Sequence, residues 1–356
     1  GGRTSNHFSK RIMFTGHIAY GTKDDEFKYG LGYIYMHSKN PRHASGIDYS
    51  SDMEQLGQSL NAFREDNILS SVFRRNPMNK LTLVKEIKGY YEHEWFTGFS
   101  NTISFSHRDI YPLRNTKFIF LENLSQNNSV IKKYLTSSEI SLNTRFAYKE
   151  KYYMGEFERI SLGTKYPIIS VMYKYGMKGV LNSDYEYHQL ILNINHWFNV
   201  REMGWSKYIF EAGNIWGKLP YPLLKLHEGN ETYQFDEYAF NMMNYYEFVS
   251  DKYISLYYTH HFEGWLFFNR IPLLRKLKWR EVGFIKGVAG KLSKYNQDYV
   301  SFPTGLHGLS KPYFEGGVGV ENILKIIRFD MIWRLSYLNN PDISKFGLRL
   351  TLAIDF

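Results

Sequence analysis

The chain has no cysteine in 356 residues. That excludes disulfide scaffolds, Cys-ligated zinc, iron–sulfur clusters and cysteine nucleophiles. It does not fix the compartment, because envelope proteins also manage without disulfides. No apolar run approaches about 18 residues, which excludes a helical membrane span. No basic-then-apolar leader is present either. The opening Gly1-Gly2-Arg3-Thr4-Ser5 fits a mature or trimmed chain, or a cytoplasmic one. Helical periodicity is nowhere sustained beyond about three turns. Aromatics, by contrast, are abundant: 30 Tyr, 26 Phe and 7 Trp, beside 22% charged residues and a net charge of +9. This composition argues against global disorder. A mean hydropathy of −0.42 points to a soluble protein, with one architecture exempt. Transmembrane barrel strands alternate apolar with polar residues and average out hydrophilic.

The C-terminus alternates most cleanly. Phe346, Leu348, Leu350, Leu352, Ile354 and Phe356 form one face, while Arg349, Thr351 and Asp355 lie on the other. A period of two is a strand with one greasy face, and about eleven residues is the length a tilted strand needs to cross a bilayer. The run before it repeats the design: Phe329, Met331 and Trp333 alternate with Arg328, Asp330 and Arg334. So do Phe27 to Tyr35, Leu81 to Trp95 (with Glu86, Lys88, Glu92 and Glu94 on the polar face) and Ile140 to Tyr148 (with Arg145). Aromatics gather near strand ends, where a barrel carries its interfacial girdles.

These patterns predict an all-β protein: a transmembrane antiparallel β-barrel of about sixteen strands, with short periplasmic turns and longer outer loops. The expected strands are 11–20, 27–37, 45–53, 81–95, 97–107, 116–122, 137–148, 152–162, 167–176, 185–198, 204–216, 252–263, 279–291, 313–321, 326–337 and 346–356. Residues 1–10 read as a periplasmic lead-in or the tail of a preceding strand, and 11–356 as a single barrel domain. With the C-terminus periplasmic, 163–166, 199–203 and 322–325 become inner turns, and 54–80, 217–251 and 292–312 outer loops. Two inner connections, 123–136 and 264–278, are longer than this rule expects. The second carries Ile271, Leu273, Leu274 and Leu277 among Arg270, Arg275, Lys276 and Lys278. It reads either as a segment at the inner membrane–water boundary or as a basic turn on the barrel rim.

Little here suggests catalysis. The neighbours His260 and His261 point to opposite faces of a strand, so they cannot share a metal ion without a bulge. Gly316-Gly317-Val318-Gly319 and Gly287-Val288-Ala289-Gly290 lack the strand–loop–helix context of a phosphate loop; in strands they mark bends or close backbone approach. Lumen-facing charges are expected at Glu86, Lys88, Glu92, Glu94, Arg145, Arg328, Asp330, Arg334, Arg349 and Asp355, forming a water-filled or salt-bridged interior. No cofactor, metal or catalytic set is expected. The dispersed positive charge comes without a nucleic-acid module, and points instead to outer-membrane lipids and lipopolysaccharide.

Several stretches carry a family resemblance: Gly2–Asn6, Phe63–Arg75, Phe240–Tyr253, His260–Gly264 and Arg270–Glu281. Together they resemble an outer-membrane family of unknown function in Bacteroidota, whose longer members begin with a carboxypeptidase-regulatory-like domain. The resemblance implies that this chain is the barrel portion. Its glycine-rich strand 313–321, the run Ile327-Arg328-Phe329-Asp330 and the final strand ending in Phe356 are in turn similar to the BamA-type surface-antigen superfamily. That implies sixteen-stranded barrels that insert or translocate proteins, and a C-terminal targeting strand at Phe346, Leu348, Leu350, Leu352, Ile354 and Phe356. The superfamily's Arg-Gly tetrapeptide, whose arginine makes an interior lock there, is missing from 217–251. The expectation is a non-enzymatic barrel of the bacterial outer membrane, acting in protein biogenesis or translocation with other outer-membrane or periplasmic proteins. The alternatives are a pore or transporter for a polar solute and a scaffold for outer-membrane partners.

Overall fold

The computed structural model describes residues 1–22, 25–56, 82–112, 117–123 and 128–352. Six strands open the chain as successive antiparallel neighbours: β1 (Gly2–Arg3), β2 (Ile12–Gly21), β3 (Glu26–Lys39), β4 (Arg42–Glu54), β5 (Thr82–Phe96) and β6 (Phe99–Tyr111). A separate hairpin, β7 (Phe118–Asn123) with β8 (Asn128–Lys132), precedes β9 (Leu135–Ala147), which pairs with β6. A second small hairpin, β10 (Tyr152–Met154) with β11 (Arg159–Ser161), precedes β12 (Ile168–Gly176), β13 (Tyr187–Asn199) and β14 (Trp205–Trp216). Three short strands form their own sheet: β15 (Lys225–Leu226), β16 (Phe248–Ser250) and β19 (His307–Gly308). The large sheet continues through β17 (Lys252–His261), β18 (Arg280–Lys291), β20 (Tyr313–Ile323), β21 (Ile327–Arg334) and β22 (Phe346–Leu352). Among the described residues it holds 15 strands, from β1 at one edge to β22 at the other.

The strands are long. β5 runs for 15 residues and β3 for 14, against ~5–6 in ordinary globular sheets. Their burial is inverted relative to a soluble sandwich. Ile18, Leu31, Ile103, Ile254, Leu256, Ile285, Val318, Leu348 and Leu350 are exposed on one face, while Lys286, Glu315, Asp330, Arg334 and Arg349 are buried on the other. The sheet curls around that polar face. Val84 of β5, Ile110 of β6, Leu135 of β9, Tyr187 of β13 and Ile215 of β14 all meet in one interior cluster. Aromatics band both ends of the outer face. Tyr20–Phe27, Tyr175–His188 and Trp333–Phe346 pair at one end, and Phe14–Tyr33, Phe96–Phe99 and Tyr148–Tyr166 at the other.

Glycines permit two close approaches in β20. A Cβ on Gly317 would lie 2.4 Å from the Met331 carbonyl oxygen, and one on Gly319 would lie 2.4 Å from Asp330 Oδ1. These glycines bring β20 against β21, as expected of glycines within strands.

Two expected strands lie outside the large sheet. The run 116–122 becomes β7, and 152–162 breaks at Gly155 into β10 and β11. Alternation specifies a strand but not the ladder it joins. Both hairpins instead fold back over the sheet ends. Removing two strands preserves the parity of everything else, with two corrections: 149–151, an outer connection by alternation of the expected strands, lies at the short-turn end, and 123–136 is no inner connection. It belongs with β7 and β8, which lie at the same end as the long segments 217–251 and 292–312. There Leu121 N–H donates to the Tyr299 carbonyl at 3.1 Å, and Ser301 N–H to Ile119 at 2.8 Å. The opposite end has short turns at 40–41, 97–98 and 324–326, plus two longer connections. One holds β10 and β11; the other holds a helix, Pro272–Leu277, with Leu273 and Leu277 exposed. The lead-in 1–10 contributes β1, whose Gly2 and Arg3 pair with Gly16 and Thr15. The expected outer loop 54–80 lies mostly outside the described residues.

Candidate functional site: an inward segment held by buried charges

Residues 217–251 leave β14 and fold onto the concave face before β17 begins. Their sequence explains why. Leu219, Tyr221, Leu224 and Leu226 enter the interior cluster beside Phe118, Phe120, Val300 and Leu306, and Phe240, Met243 and Phe248 pack on Ile209, Tyr257, Val288 and Tyr313 of the wall. Each buried Leu or Phe side chain contributes about 1.5–3 kcal/mol, so the segment is held by packing before any polar contact is counted.

The polar contacts then fix its register. From β20, the buried Glu315 carboxylate accepts the Asn241 N–H at 2.7 Å and the Met242 N–H at 2.8 Å. Lys286 of β18 donates to the Asp236 and Ala239 carbonyls, both at 2.6 Å. Arg334 of β21 donates to the Met242 carbonyl at 3.1 Å and pairs with Glu247 at 2.9 Å, and Arg349 of β22 reaches the Asn241 carbonyl. The segment is therefore held from the wall by charged side chains of β18, β20, β21 and β22. The arginines stand on the wall, and the segment supplies carbonyls and Glu247.

A second ionic group lies within the segment. Lys225 Nζ sits 2.8 Å from Glu211 and 2.5 Å from Glu228. Burial works against the Lys225 ammonium, yet Glu228 and Glu211 hold its pKa well above the ordinary value. Next to it, burial and then Lys225 push His227 down to about 3, so it is neutral where its ring meets Ser250 Oγ at 2.9 Å.

The other expected charges divide between two further places. At the short-turn end, Glu94 is buried and accepts from Arg42 N–H at 2.8 Å, Gly98 N–H at 3.1 Å and Arg159 at 2.8 Å. Glu92 accepts from Arg42 at 3.0 Å, and Arg145 pairs with Glu150 at 2.7 Å. Together they strap the β10–β11 hairpin across that end, with Phe157 buried against Met13, Met36 and Ala44. Burial works to raise the Glu150 carboxyl, but hydrogen bonds from Arg145, Ser161 and Tyr152 hold it below its ordinary value. Along the wall, Glu86 lies 3.8 Å from Arg108, and Lys88 stays exposed opposite Asp48. Arg328 pairs with Asp330 at 2.9 Å on β21. Asp355, Ile354 and Phe356 lie outside the described residues, while Phe346, Leu348, Leu350 and Leu352 face outward.

Glu315, Lys286, Glu247 and Asn241 escaped the sequence reading. Alternation gives the face of Glu315 and Lys286, but no local pattern marks the segment that each one holds. His260 and His261 do point apart: His260 Nδ1 meets Ser206 Oγ at 2.7 Å, and His261 Nδ1 meets Glu321 at 2.9 Å.

At the edge of the sheet the inward segment does something else. Gln234 bridges Leu350 in parallel register. Leu350 N–H donates to the Tyr233 carbonyl at 3.0 Å, and Phe235 N–H to the Leu350 carbonyl at 3.4 Å. Phe235 is buried, with Arg328 4.5 Å and Lys286 4.6 Å from its ring centre, while Tyr233 is 53% exposed. The segment thus passes from the concave face to the surface along the free side of β22. Among the described residues no ladder joins β22 to β1 or β2.

Residues 2–306 match the model of a family described as "Family of unknown function (DUF5686) C-terminal domain". No curated protein matches the chain. Among solved structures, BamA from Haemophilus ducreyi lacking POTRA domains 1–3 is similar, with a TM-score of 0.52 at 10% identity over 96% of this chain and 67% of that one. At that identity the likeness speaks for the fold, a BamA-like β-barrel.

Proposed function

This chain belongs to the DUF5686 family by its C-terminal domain, and we propose that it is a non-enzymatic barrel of the bacterial outer membrane that templates strands of other membrane proteins at its seam. The inverted burial supports membrane placement. Exposed apolar rows between two aromatic bands suit lipid, and paired charges suit an enclosed interior. One observation carries the functional reading: the free side of β22 holds two backbone hydrogen bonds from 233–235, whereas its other side pairs with β21 along Phe346–Leu352. An unpaired strand edge is a template for another strand. Each backbone bond is worth about 1 kcal/mol net, so an incoming strand that pairs along all of β22 outcompetes a two-bond occupant. Residues 233–235 act as an internal placeholder, which the incoming strand displaces.

An inward fold of 217–251 also suits a pore, in which the segment would act as a constriction. Its buried apolar clusters oppose that reading, because they fill the interior where a solute would pass. The test is reconstitution of the purified protein in liposomes with an unfolded client barrel. Client folding faster than in empty liposomes, without steady single-channel conductance, is expected. Conductance without accelerated folding would favour the pore. Neither activity would leave a scaffold.

A further inference from the structure

On the outer face, at the end carrying the long connections, β13, β14, β17 and β18 form a groove of about 580 Å³. Cross-strand register explains it. Leu192, Ala212, Ile254 and Ala289 lie side by side in one row across the four strands, and the two alanines leave hollows between taller neighbours. One step nearer the long-connection end, the next row reads Leu190, Asn214, Lys252 and Lys291. Lys252 and Lys291 are direct cross-strand partners, both exposed.

Like charges directly opposite each other destabilise a sheet. Among the described residues neither lysine has a carboxylate in ion-pair range. Asp251, next in the chain, is buried and instead accepts from Ser293 N–H at 2.8 Å and Asn296 at 3.0 Å. A twin ammonium above an apolar slot has a chemical complement: a phosphate with an acyl chain below it. We propose that this groove binds a phosphate-bearing lipid of the outer leaflet, its phosphate between Lys252 and Lys291 and one acyl chain along Ala212 and Ala289. The proposal rests on the membrane placement above but is independent of strand templating.

Native mass spectrometry of the detergent-purified protein tests it, using diphosphorylated lipid A and the same lipid stripped of its phosphates as probes. The wild type is expected to retain the phosphorylated form preferentially. Lys252→Gln or Lys291→Gln should weaken retention about fivefold each, and the pair about thirtyfold. Ala289→Leu, which fills the slot and keeps both lysines, should also lose the lipid. Inorganic phosphate at millimolar level should compete poorly, since it lacks the chain; full competition would reduce the site to an anion site and overturn the proposal. Equal retention of both lipids, or undiminished retention by the double variant, would overturn it too. Heat-modifiable gel mobility and flotation with liposomes report membrane placement separately. A variant that keeps both but loses the lipid isolates the groove, whereas a wild type that fails flotation sinks the placement instead.

Discussion

Replacing Arg334 with Met should free the 217–251 segment while leaving the sheet intact. The guanidinium is fully buried and Glu247 nearly so. Arg334 donates to the Ser336 and Met242 carbonyls and to both Glu247 oxygens. Without it, among the described residues the Glu247 carboxylate keeps only the Asn244 N–H at 2.9 Å and the Asn340 amide at 3.0 Å, too little for a buried carboxylate. Breaking one partner of such a pair costs about 3–5 kcal/mol, which is about two to three and a half powers of ten in an opening equilibrium. Hydrogen exchange by mass spectrometry reads this locally: peptides covering 225–248 should speed up by that factor, while those covering β12 and β13 stay unchanged. Adding Glu247→Gln should restore most of the protection, because the unpaired charge is then gone. If 225–248 exchanged at the wild-type rate in Arg334→Met, or if every strand sped up equally, Arg334 would not be what holds the segment.

Three further outcomes follow from the same geometry. His227 is held near 3 by burial and Lys225, so below about pH 6.5 the unfolded segment binds a proton that the packed one does not. Stability therefore falls with pH by about 1.4 kcal/mol per unit in that window, and His227→Gln should abolish this slope in urea midpoints taken at about pH 7 and about pH 5. Leu256→Arg, in the middle of the exposed apolar face, should cost about 2–4 kcal/mol in liposomes, whereas a soluble protein would tolerate it; unchanged midpoints would argue against lipid contact. A fluorophore at Leu273, on the exposed helix Pro272–Leu277, should be quenched by shallow but not deep brominated lipids. Quenching by neither would reduce that helix to a basic turn on the rim.

Much of the wall was legible because a strand wetted on one side writes its faces into alternate positions. Phe346 to Leu352 shows this, with Arg349 buried between exposed Leu348 and Leu350. Long-range partnership was not legible. Phe118 and Phe120 alternate like wall residues, yet they turn into the interior cluster against Tyr221 and Val300, a choice set by tertiary packing. What holds 217–251 was hidden for the same reason. Alternation places Arg334 and Arg349 on the inward face, but no local pattern marks Glu247, Met242 and Asn241 as the groups they hold.

The seam itself is testable by a tether, since the chain has no cysteine to interfere. In Gln234→Cys with Leu350→Cys, a disulfide should form on mild oxidation at the observed bridge. The oxidised protein in liposomes should lose its acceleration of client-barrel folding, and reductant should restore it. Acceleration that persists at the wild-type rate while the tether is intact would contradict a role for the β22 edge.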